Sequence, residues 1–196
     1  MAGLIILAGG KSSRMGRNKA LLSFGTKTGI ERIVNELKPL SVNPILVTNE
    51  PHLFQHLEVK IVQDNYPGMG PLAGLEAGLS VTEEEWNILV ACDMPFVSQS
   101  LAEELWKRTG EWDCVVPMLE GRAHPLFALY NKSILPVVRG KLEGNTLKMM
   151  AVLESCNTLY VREEDLKKVD NLEDALFNMN VPSDYETAAA KVKEGK

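Results

Sequence analysis

The sequence predicts an α/β protein built on a doubly wound, mostly parallel sheet. Short apolar runs alternate with stretches of helical periodicity, which is the pattern of strands joined by crossover helices. The predicted strands are Leu4–Leu7, Ile45–Thr48, Val59–Val62, Asn87–Ala91, Cys114–Pro117, Phe127–Tyr130 and Thr158–Val161. The alternation is less regular from Cys114 to Val161, which predicts a small antiparallel edge and a lobe in the C-terminal half.

Local capping signals place the helices between these strands. A capping box begins with a Ser or Thr that is followed three residues later by Glu. Three such boxes predict a helix from Thr28 toward Leu40, one from Ser100 to about Thr109, and one from Ser183 through Val192. The other predicted helices are Pro51–His56, Leu72–Val81, Asn131–Arg139 and Thr146–Leu153.

Composition predicts one domain over residues 1–196. The chain is 45% hydrophobic, enough for a sizeable core, and its formal net charge of −5 argues against nucleic acid or anionic membrane as a partner. Cys92, Cys114 and Cys156 form no CxxC motif, so buried or half-buried reduced thiols are expected. No signal peptide or membrane span is evident, so a cytoplasmic protein is expected, and we also expect a monomer.

The first predicted strand ends in a glycine-rich basic loop. Gly9 and Gly10 let backbone N–H groups approach an anion without an intervening Cβ. Cationic side chains follow at Lys11, Arg14, Arg17 and Lys19. Because open α/β sheets bind ligands at the carboxyl ends of their strands, this loop predicts a polyphosphate cradle.

Two familiar phosphate-binding motifs are excluded in this loop. A Walker A motif needs glycine at the position of Ile5, and the spacing of Gly9, Gly10 and Gly16 does not form GxGxxG. A glycine turn followed by a solvated basic loop stays open as an alternative.

Two further polar residues follow predicted strands. Asn49 is suited to contacting a nucleobase edge, or else to capping the helix after Pro51. The Asp64 carboxylate is suited to accepting the two adjacent N–H groups, N1 and N2, that guanine presents. An Asx turn is the alternative for Asp64.

Asp93 follows the strand Asn87–Ala91 and precedes a proline turn. A carboxylate at a strand end is a natural ligand for Mg²⁺, which takes one or two carboxylates together with phosphate oxygens and water. A turn-capping aspartate is the alternative. The glycine-rich segment Gly68–Leu79 enters a helix, so it predicts a surface for a base or ribose, or else a plain loop-to-helix joint.

The remaining polar candidates carry weaker signals. Arg122 and His124 suit an anionic acceptor, or else a surface turn. Asn178 and Asn180 precede the last helix, where ordinary turn residues are the alternative. His52 and His56 have the i, i+4 spacing of metal ligands, but no third ligand is evident, so solvent-exposed histidines are expected.

Several of these segments resemble motifs of the molybdenum cofactor guanylyltransferase family. The resemblance runs in order from residue 4 to about residue 188. It rests on LAGGxSxRMGxxKALL at Leu7–Leu22, GPLAG at Gly70–Gly74, CDMPF at Cys92–Phe96, Arg-x-His-Pro at Arg122–Pro125 and FNxNxP at Phe177–Pro182.

The resemblance implies a Rossmann-like nucleotidyltransferase fold and transfer of GMP from GTP to molybdopterin. It implies Mg²⁺ at Asp93 and catalytic roles for Arg14, Lys19 and Asp93. The implied nucleotide contacts are Leu7, Ala8, Gly9, Gly10, Lys19, Asn49, Asp64, Gly70, Gly74 and Asp93. The implied acceptor contacts are Arg122, His124, Asn178 and Asn180.

The resemblance also divides the chain by task. Residues 1–110 are expected mainly to bind nucleotide, and residues 111–190 mainly to bind the acceptor. Transient contact with proteins that handle the cofactor, or with acceptor apoenzymes, is expected. Two alternatives stay open: a nucleotidyltransferase that uses CTP or a sugar phosphate, and a non-catalytic protein that binds nucleotide or cofactor.

Overall fold

A single mixed sheet of eight strands dominates the part of the chain that the structure describes. The structure is a computed structural model that describes residues 1–9, 19–179 and 181–193, with Lys19 and Lys193 described by their backbone alone. The sheet strands are β1 (Ala2–Leu7), β4 (Ser41–Val47), β5 (Lys60–Val62), β6 (Trp86–Ala91), β7 (Cys114–Leu119), β8 (Arg122–Ala123), β9 (Phe127–Asn131) and β10 (Thr158–Val161). A separate two-stranded antiparallel sheet joins β2 (Ser23–Phe24) to β3 (Lys27–Thr28).

The order of the main sheet is β10-β7-β9-β6-β1-β4-β5, with β8 paired to β7. Strand β1 lies parallel to β4 and β6, β4 lies parallel to β5, and β7 lies parallel to β10. Strand β9 is antiparallel to both β6 and β7. The predicted class, a mostly parallel α/β sheet with a small antiparallel part in the C-terminal half, is confirmed.

The structure also specifies where the antiparallel part lies. Strand β9 runs inside the sheet, and the strand at that edge, β10, is parallel to its neighbour. The reason is the short connection between β7 and β9, which passes through the β8 hairpin. A parallel return would need a crossover of a dozen or more residues, so a short return is antiparallel.

The helices are α1 (Gly29–Leu37), α2 (Pro71–Val81), α3 (Gln99–Trp106), α4 (Leu135–Glu143), α5 (Met149–Leu153), α6 (Leu172–Ala175) and α7 (Pro182–Lys193). Short 3₁₀ helices lie at Lys19–Leu21, Pro51–Leu53, Lys132–Ile134 and Glu163–Asp165. The predicted capping box of α1 is confirmed. The Thr28 hydroxyl accepts a hydrogen bond from the Glu31 backbone, and Glu31 accepts one from the Thr28 N–H at 2.7 Å.

Two predicted helix caps were wrong. Helix α3 is capped by Ser98, whose hydroxyl accepts from Leu101 N at 3.3 Å, so the predicted cap Ser100 lies within the first turn. Helix α7 begins at Pro182, and Asp184 accepts from the N–H of Val181 at 2.9 Å. In both cases an earlier residue also suits a helix start, because proline favours the first helical position and serine favours the cap.

Helices cover both faces of the sheet. Along β1, Leu4 and Ile6 belong to one buried cluster together with residues of α1 and α3, whereas Ile5 and Leu7 belong to a second together with residues of α2 and α4. Successive side chains of a strand point to opposite faces, so burial of all four shows that both faces are covered. This is the doubly wound arrangement that the sequence predicted.

Helix α2 lies very close to β1, and a glycine permits the approach. A Cβ built on Gly78 would lie 2.5 Å from Cγ2 of Ile5 and 2.9 Å from its Cγ1. Gly78→Ala is therefore expected to lower the free energy of unfolding by about 1–3 kcal/mol, because overpacking outweighs the gain in helix propensity. Urea unfolding measures the effect.

Gly140 in α4 is the matched control, because a Cβ built there meets nothing within 4 Å. Gly140→Ala is expected to raise the free energy of unfolding by about 0.5–1 kcal/mol, since alanine favours the helix. If both alanine variants were equally stabilised, the close packing of α2 on β1 would not constrain the chain.

Candidate active site

Four parallel strands end side by side at one edge of the sheet, in the order β6, β1, β4 and β5. Asp93, Gly9, Asn49 and Asp64 follow those strand ends in the same order. The strand pairing continues one residue past the strands, through the hydrogen bonds Cys92 N to Leu7 O (2.9 Å), Ala8 N to Val47 O (2.9 Å) and Thr48 N to Val62 O (3.0 Å). The structure thus brings these predicted site residues to one edge.

The first loop is described only at its two ends. Leu7 and Ala8 are buried, and Gly9 is exposed. A Cβ built on Gly9 would meet nothing within 4 Å in the described part of the chain. The predicted residues Gly10 and Arg14 lie outside the described residues, as does the Lys19 side chain.

The loop after β5 is fixed by two hydrogen bonds. The Asp64 N–H donates to Oδ1 of Asn49 at 3.4 Å, and Oδ1 of Asp64 accepts from Tyr66 N at 2.6 Å. The Asx turn considered for Asp64 is therefore present. It engages Oδ1, and it holds the carboxylate, with its second oxygen Oδ2, in a fixed orientation at the strand end.

The alternative role considered for Asn49 was wrong. The 3₁₀ helix Pro51–Leu53 has Glu50 at its N-cap, with no side-chain cap hydrogen bond. Asn49 is exposed and accepts from the backbone of Asp64 instead. It therefore connects the ends of two neighbouring strands, β4 and β5, at the edge where the site lies.

The two glycines predicted to contact nucleotide differ in their surroundings. Gly70 is the N-cap of α2 with φ +74°, a conformation that favours glycine, and a Cβ there would meet nothing within 4 Å. A Cβ on Gly74 would lie 2.7 Å from Cδ2 of Leu7. Gly74 therefore serves the packing of α2 on β1, and its contact with nucleotide stays a prediction.

Asp93 lies where β6 meets the C-terminal part of the chain. Its side chain is half-buried, and its carbonyl accepts from Met179 N at 2.9 Å. The predicted acceptor residue Asn178 is thus held in the segment that docks on Asp93, whereas Asn180 lies outside the described residues. These contacts join the two halves of the chain at the proposed metal ligand.

Helix α7 secures this C-terminal segment. Met179 and Ala188 are fully buried against Phe24 on β2, in a small cluster apart from the main core. The Tyr185 ring packs edge-on against the Phe24 ring, with 5.3 Å between the ring centroids. The Tyr185 hydroxyl donates a hydrogen bond to Ser23 O at 2.9 Å. The hairpin that follows the first loop and the segment that reaches Asp93 therefore form one packed unit.

Arg122 and His124 follow the hairpin turn at the carboxyl end of β7, at the same edge of the sheet as the end of β6, and His124 N donates to Pro117 O at 3.0 Å. Glu120 and Gly121 both have positive φ, as a tight two-residue hairpin requires, and Leu119 pairs with Arg122. Arg122 is exposed. Burial, aided by the charge of Arg122, lowers the pKa of His124, so its imidazole is neutral at pH 7.

The structure also places the other histidines and the cysteines. His52 and His56 are exposed, and the 3₁₀ helix ends at Leu53, before the second histidine. Among the described residues, no group of three or more His, Cys, Asp or Glu side chains is arranged to hold a metal ion. The cysteines are buried (Cys114) or half-buried (Cys92 and Cys156).

One ionised residue near the site was not predicted from the sequence. Glu76 on α2 is fully buried and accepts a hydrogen bond from Asn65, the residue that follows Asp64. The signal was a single glutamate inside the segment Pro71–Val81, which is otherwise composed of small and apolar residues and one serine. A charge in such a helix is buried only when it is paired.

A mostly parallel α/β sheet with amide and carboxylate groups at one carboxyl edge is the arrangement in which open α/β proteins bind their ligands. The chain belongs to the MobA-like NTP transferase family, whose model matches residues 4–159. It is an enzyme of the nucleotidyltransferase class. No helix in the described part of the chain is long and apolar enough to span a membrane.

Individual relatives agree with this family. The chain is 38% identical, over 92% of its length and 91% of the relative, to a probable molybdenum cofactor guanylyltransferase of Carboxydothermus hydrogenoformans. A protein of the same description from Pelotomaculum thermopropionicum is 33% identical over 98% of this chain and 94% of its own length. The crystal structure of molybdopterin-guanine dinucleotide biosynthesis protein A from Archaeoglobus fulgidus superposes on this chain with a TM-score of 0.86 at 26% identity. The superposition covers 99% of this chain and 100% of the other.

Proposed function

We propose that this enzyme transfers GMP from GTP to the terminal phosphate of molybdopterin, forming a guanine dinucleotide cofactor. The observation that carries the proposal is the placement of Asp64, oriented by Asn49 and its own Asx turn, on the same strand edge as Asp93. The descriptions of the relatives support the identity of both substrates. Residues 1–110 bind mainly GTP, and residues 111–190 bind mainly the acceptor.

The reaction is a substitution at the α-phosphorus of GTP. An oxygen of the acceptor phosphate forms a bond to that phosphorus, and the bond to the bridging oxygen between the α- and β-phosphates breaks, releasing pyrophosphate. The attacking phosphate is already anionic near neutral pH, so no strong general base is needed. The protein contributes position and charge neutralisation.

The backbone that faces the phosphates begins at Gly9. The resemblance implies nucleotide contacts at Ala8, Gly9 and Gly10, but the N–H of Ala8 donates to Val47 O at 2.9 Å as part of the sheet. Gly9 is the next residue in the chain, and it is exposed and has no side chain. Arg14 and Lys19 remain the predicted cations for the triphosphate and the leaving group.

The oxygen groups around Asp93 fit Mg²⁺. The ion prefers carboxylate and carbonyl oxygens and keeps positions for phosphate and water. Asp93 supplies a carboxylate, and the docking of Met179 on Asp93 keeps the amide of Asn178 in the neighbouring segment. Held there, Mg²⁺ would neutralise charge on the phosphate oxygens.

The acceptor contacts are proposed on the opposite side of Asp93 from the guanine contacts. Arg122 offers a guanidinium for an anionic group, and the neutral His124 offers a ring nitrogen for a hydrogen bond. Both follow the hairpin turn at the end of β7, whereas Asp64 follows the end of β5. Asp93, at the end of β6, lies between them.

A titration with GTP, CTP, ATP and UTP, each with and without Mg²⁺, tests the donor. GTP with Mg²⁺ is expected to bind at least about 10²-fold more tightly than the other three, because only guanine presents two adjacent N–H donors to Asp64. Pyrophosphate release upon addition of molybdopterin then tests the acceptor.

Other outcomes of the same experiment would contradict the proposal. Preference for CTP would place the enzyme among cytidylyl-transferring relatives of the same fold. Tight GTP binding without pyrophosphate release, for any acceptor, would indicate a binding protein. The cytoplasmic location, the monomeric state and contacts with cofactor-handling proteins stay predictions.

A further inference from the structure

The burial of Glu76 needs a reason beyond the packing of α2. Only 2% of its side chain is exposed, and its neighbours in the helix, Leu75 and Ala77, are buried apolar residues. Removing a carboxylate from water is costly, and an apolar side chain of similar volume at such a position often serves stability as well or better. A buried carboxylate is therefore a candidate for a specific task.

The two oxygens of Glu76 have different partners. Oε1 accepts from Arg139 Nε on α4 at 2.8 Å and from the Ser80 hydroxyl at 2.8 Å. Oε2 accepts from the amide Nδ2 of Asn65 at 2.9 Å. One oxygen is thus held by the helices, and the other holds the loop that carries Asp64.

The charge on Glu76 persists near neutral pH. Burial alone would raise the pKa of this carboxyl, but hydrogen bonds from Asn65, Arg139 and Ser80, with the charge of Arg139, outweigh it and lower the pKa below its usual value. The bond to Asn65 therefore has an ionised acceptor. Such bonds are roughly twice as strong as neutral ones.

Asn65 is the middle residue of the Asx turn. The turn begins at Asp64, whose Oδ1 accepts from Tyr66 N, and Asp64 N donates to Asn49. The turn is thus tied to strand β4 by Asn49 and to helix α2 by Glu76. With both ties in place, the Asp64 carboxylate has one orientation relative to the strand edge.

We propose that Glu76 is a positioning residue that acts through Asn65 to hold the Asp64 carboxylate in the orientation that selects guanine. Glu76 itself touches no substrate. Arg139 balances its charge, Ser80 donates a hydrogen bond to it, and Asn65 transmits its position to the turn. This inference rests on the proposed function, because it presumes that Asp64 contacts the base.

Asn65→Ala removes the hydrogen bond from Asn65 to Glu76 without disturbing the buried charge. Asn65 is exposed, and Glu76 keeps its bonds to Arg139 and Ser80 in this variant. The preference for GTP over ITP, which lacks the 2-amino group, is expected to fall about tenfold. KM for GTP is expected to rise while kcat at saturating GTP is unchanged, and Tm is expected to stay near that of the parent.

Arg139→Gln is the matched control on the other oxygen of Glu76. It removes a cation from a buried carboxylate but leaves the bond to Asn65. A lower Tm is expected, with a preference for GTP over ITP within about twofold of the parent. If Glu76 served stability alone, the preference for GTP over ITP would fall only in a variant with a lower Tm. It would then fall in Arg139→Gln and not in Asn65→Ala.

The outcomes separate this inference from the proposed function. A parent enzyme without preference for GTP over ITP would overturn both. A parent with that preference and an Asn65→Ala variant that keeps it would overturn the positioning role alone. Equal loss of selectivity in Asn65→Ala and Arg139→Gln, in proportion to Tm, would also overturn it.

Discussion

Asp93→Asn is expected to lower the rate of guanylyl transfer by about 10²-fold or more at saturating GTP and Mg²⁺, by analogy with other preorganised electrostatic groups. The substitution keeps the shape of the side chain and removes the charge proposed to hold Mg²⁺. The backbone contact from Met179 N to the Asp93 carbonyl does not depend on the carboxylate, so the C-terminal segment should stay docked. The expected loss is therefore one of chemistry rather than of fold.

Single-turnover release of pyrophosphate, measured across a range of Mg²⁺ concentrations, checks this prediction. The variant should need more Mg²⁺ for half-maximal rate as well as showing a lower maximum. Asp113→Asn is a suitable control, because Asp113 precedes β7 and so lies at the amino end of the parallel strands. Its rate should stay within about twofold of the parent. Near-normal Mg²⁺-dependent turnover by Asp93→Asn would remove Asp93 from the metal site.

The edge of the sheet could be predicted because it follows from local patterns. A buried strand must be apolar over several residues, so the polar residue that ends it is visible in the sequence, as at Asp64 and Asp93. Parallel strands then bring their carboxyl ends to one edge whatever their exact order. The placement of these two residues therefore needed only the strand pattern and the prediction that the strands are parallel.

The remaining features depend on contacts between distant segments. Nothing near Glu76 in the sequence indicates that Asn65 and Arg139 surround it, since Arg139 belongs to a helix 63 positions away. The interior place of β9 likewise follows from strand pairing rather than from periodicity. Ser98 and Ser100 can both cap a helix, and local propensity differs little between them. Which of the two caps α3 depends on whether the earlier start adds a favourable turn.

The docking of the C-terminal segment has a consequence for how the two halves of the chain cooperate. The segment that carries Asn178 reaches Asp93 through the Met179 backbone, and α7 fixes it on the hairpin β2–β3. Asn178, which is expected to bind the acceptor, and Asp93, which is expected to bind metal, thus share one packed support. Side chains held by packed helices and strands keep the geometry that phosphoryl transfer requires.

Asp64→Asn is expected to abolish most of the preference for guanine, by about 10²-fold in the ratio of GTP to ATP affinity. The amide oxygen of asparagine can still accept from Tyr66 N, so the Asx turn should persist. The second position of the side chain becomes an NH₂ donor and then faces the N–H donors of guanine. Two donors placed against each other repel, so GTP binding suffers more than ATP binding.

The Asp64→Asn variant is also expected to bind a different base more tightly. Xanthine has a carbonyl oxygen where guanine has its 2-amino group, and the new amide can donate to that oxygen. Asp64→Asn should therefore bind XTP more tightly than the parent does, by about tenfold. Competition titrations with GTP, ATP and XTP measure all three changes, with Asp113→Asn as the control that should show none. Unchanged preference for GTP would mean that Asp64 serves only the turn, and that the guanine contact lies elsewhere on this edge.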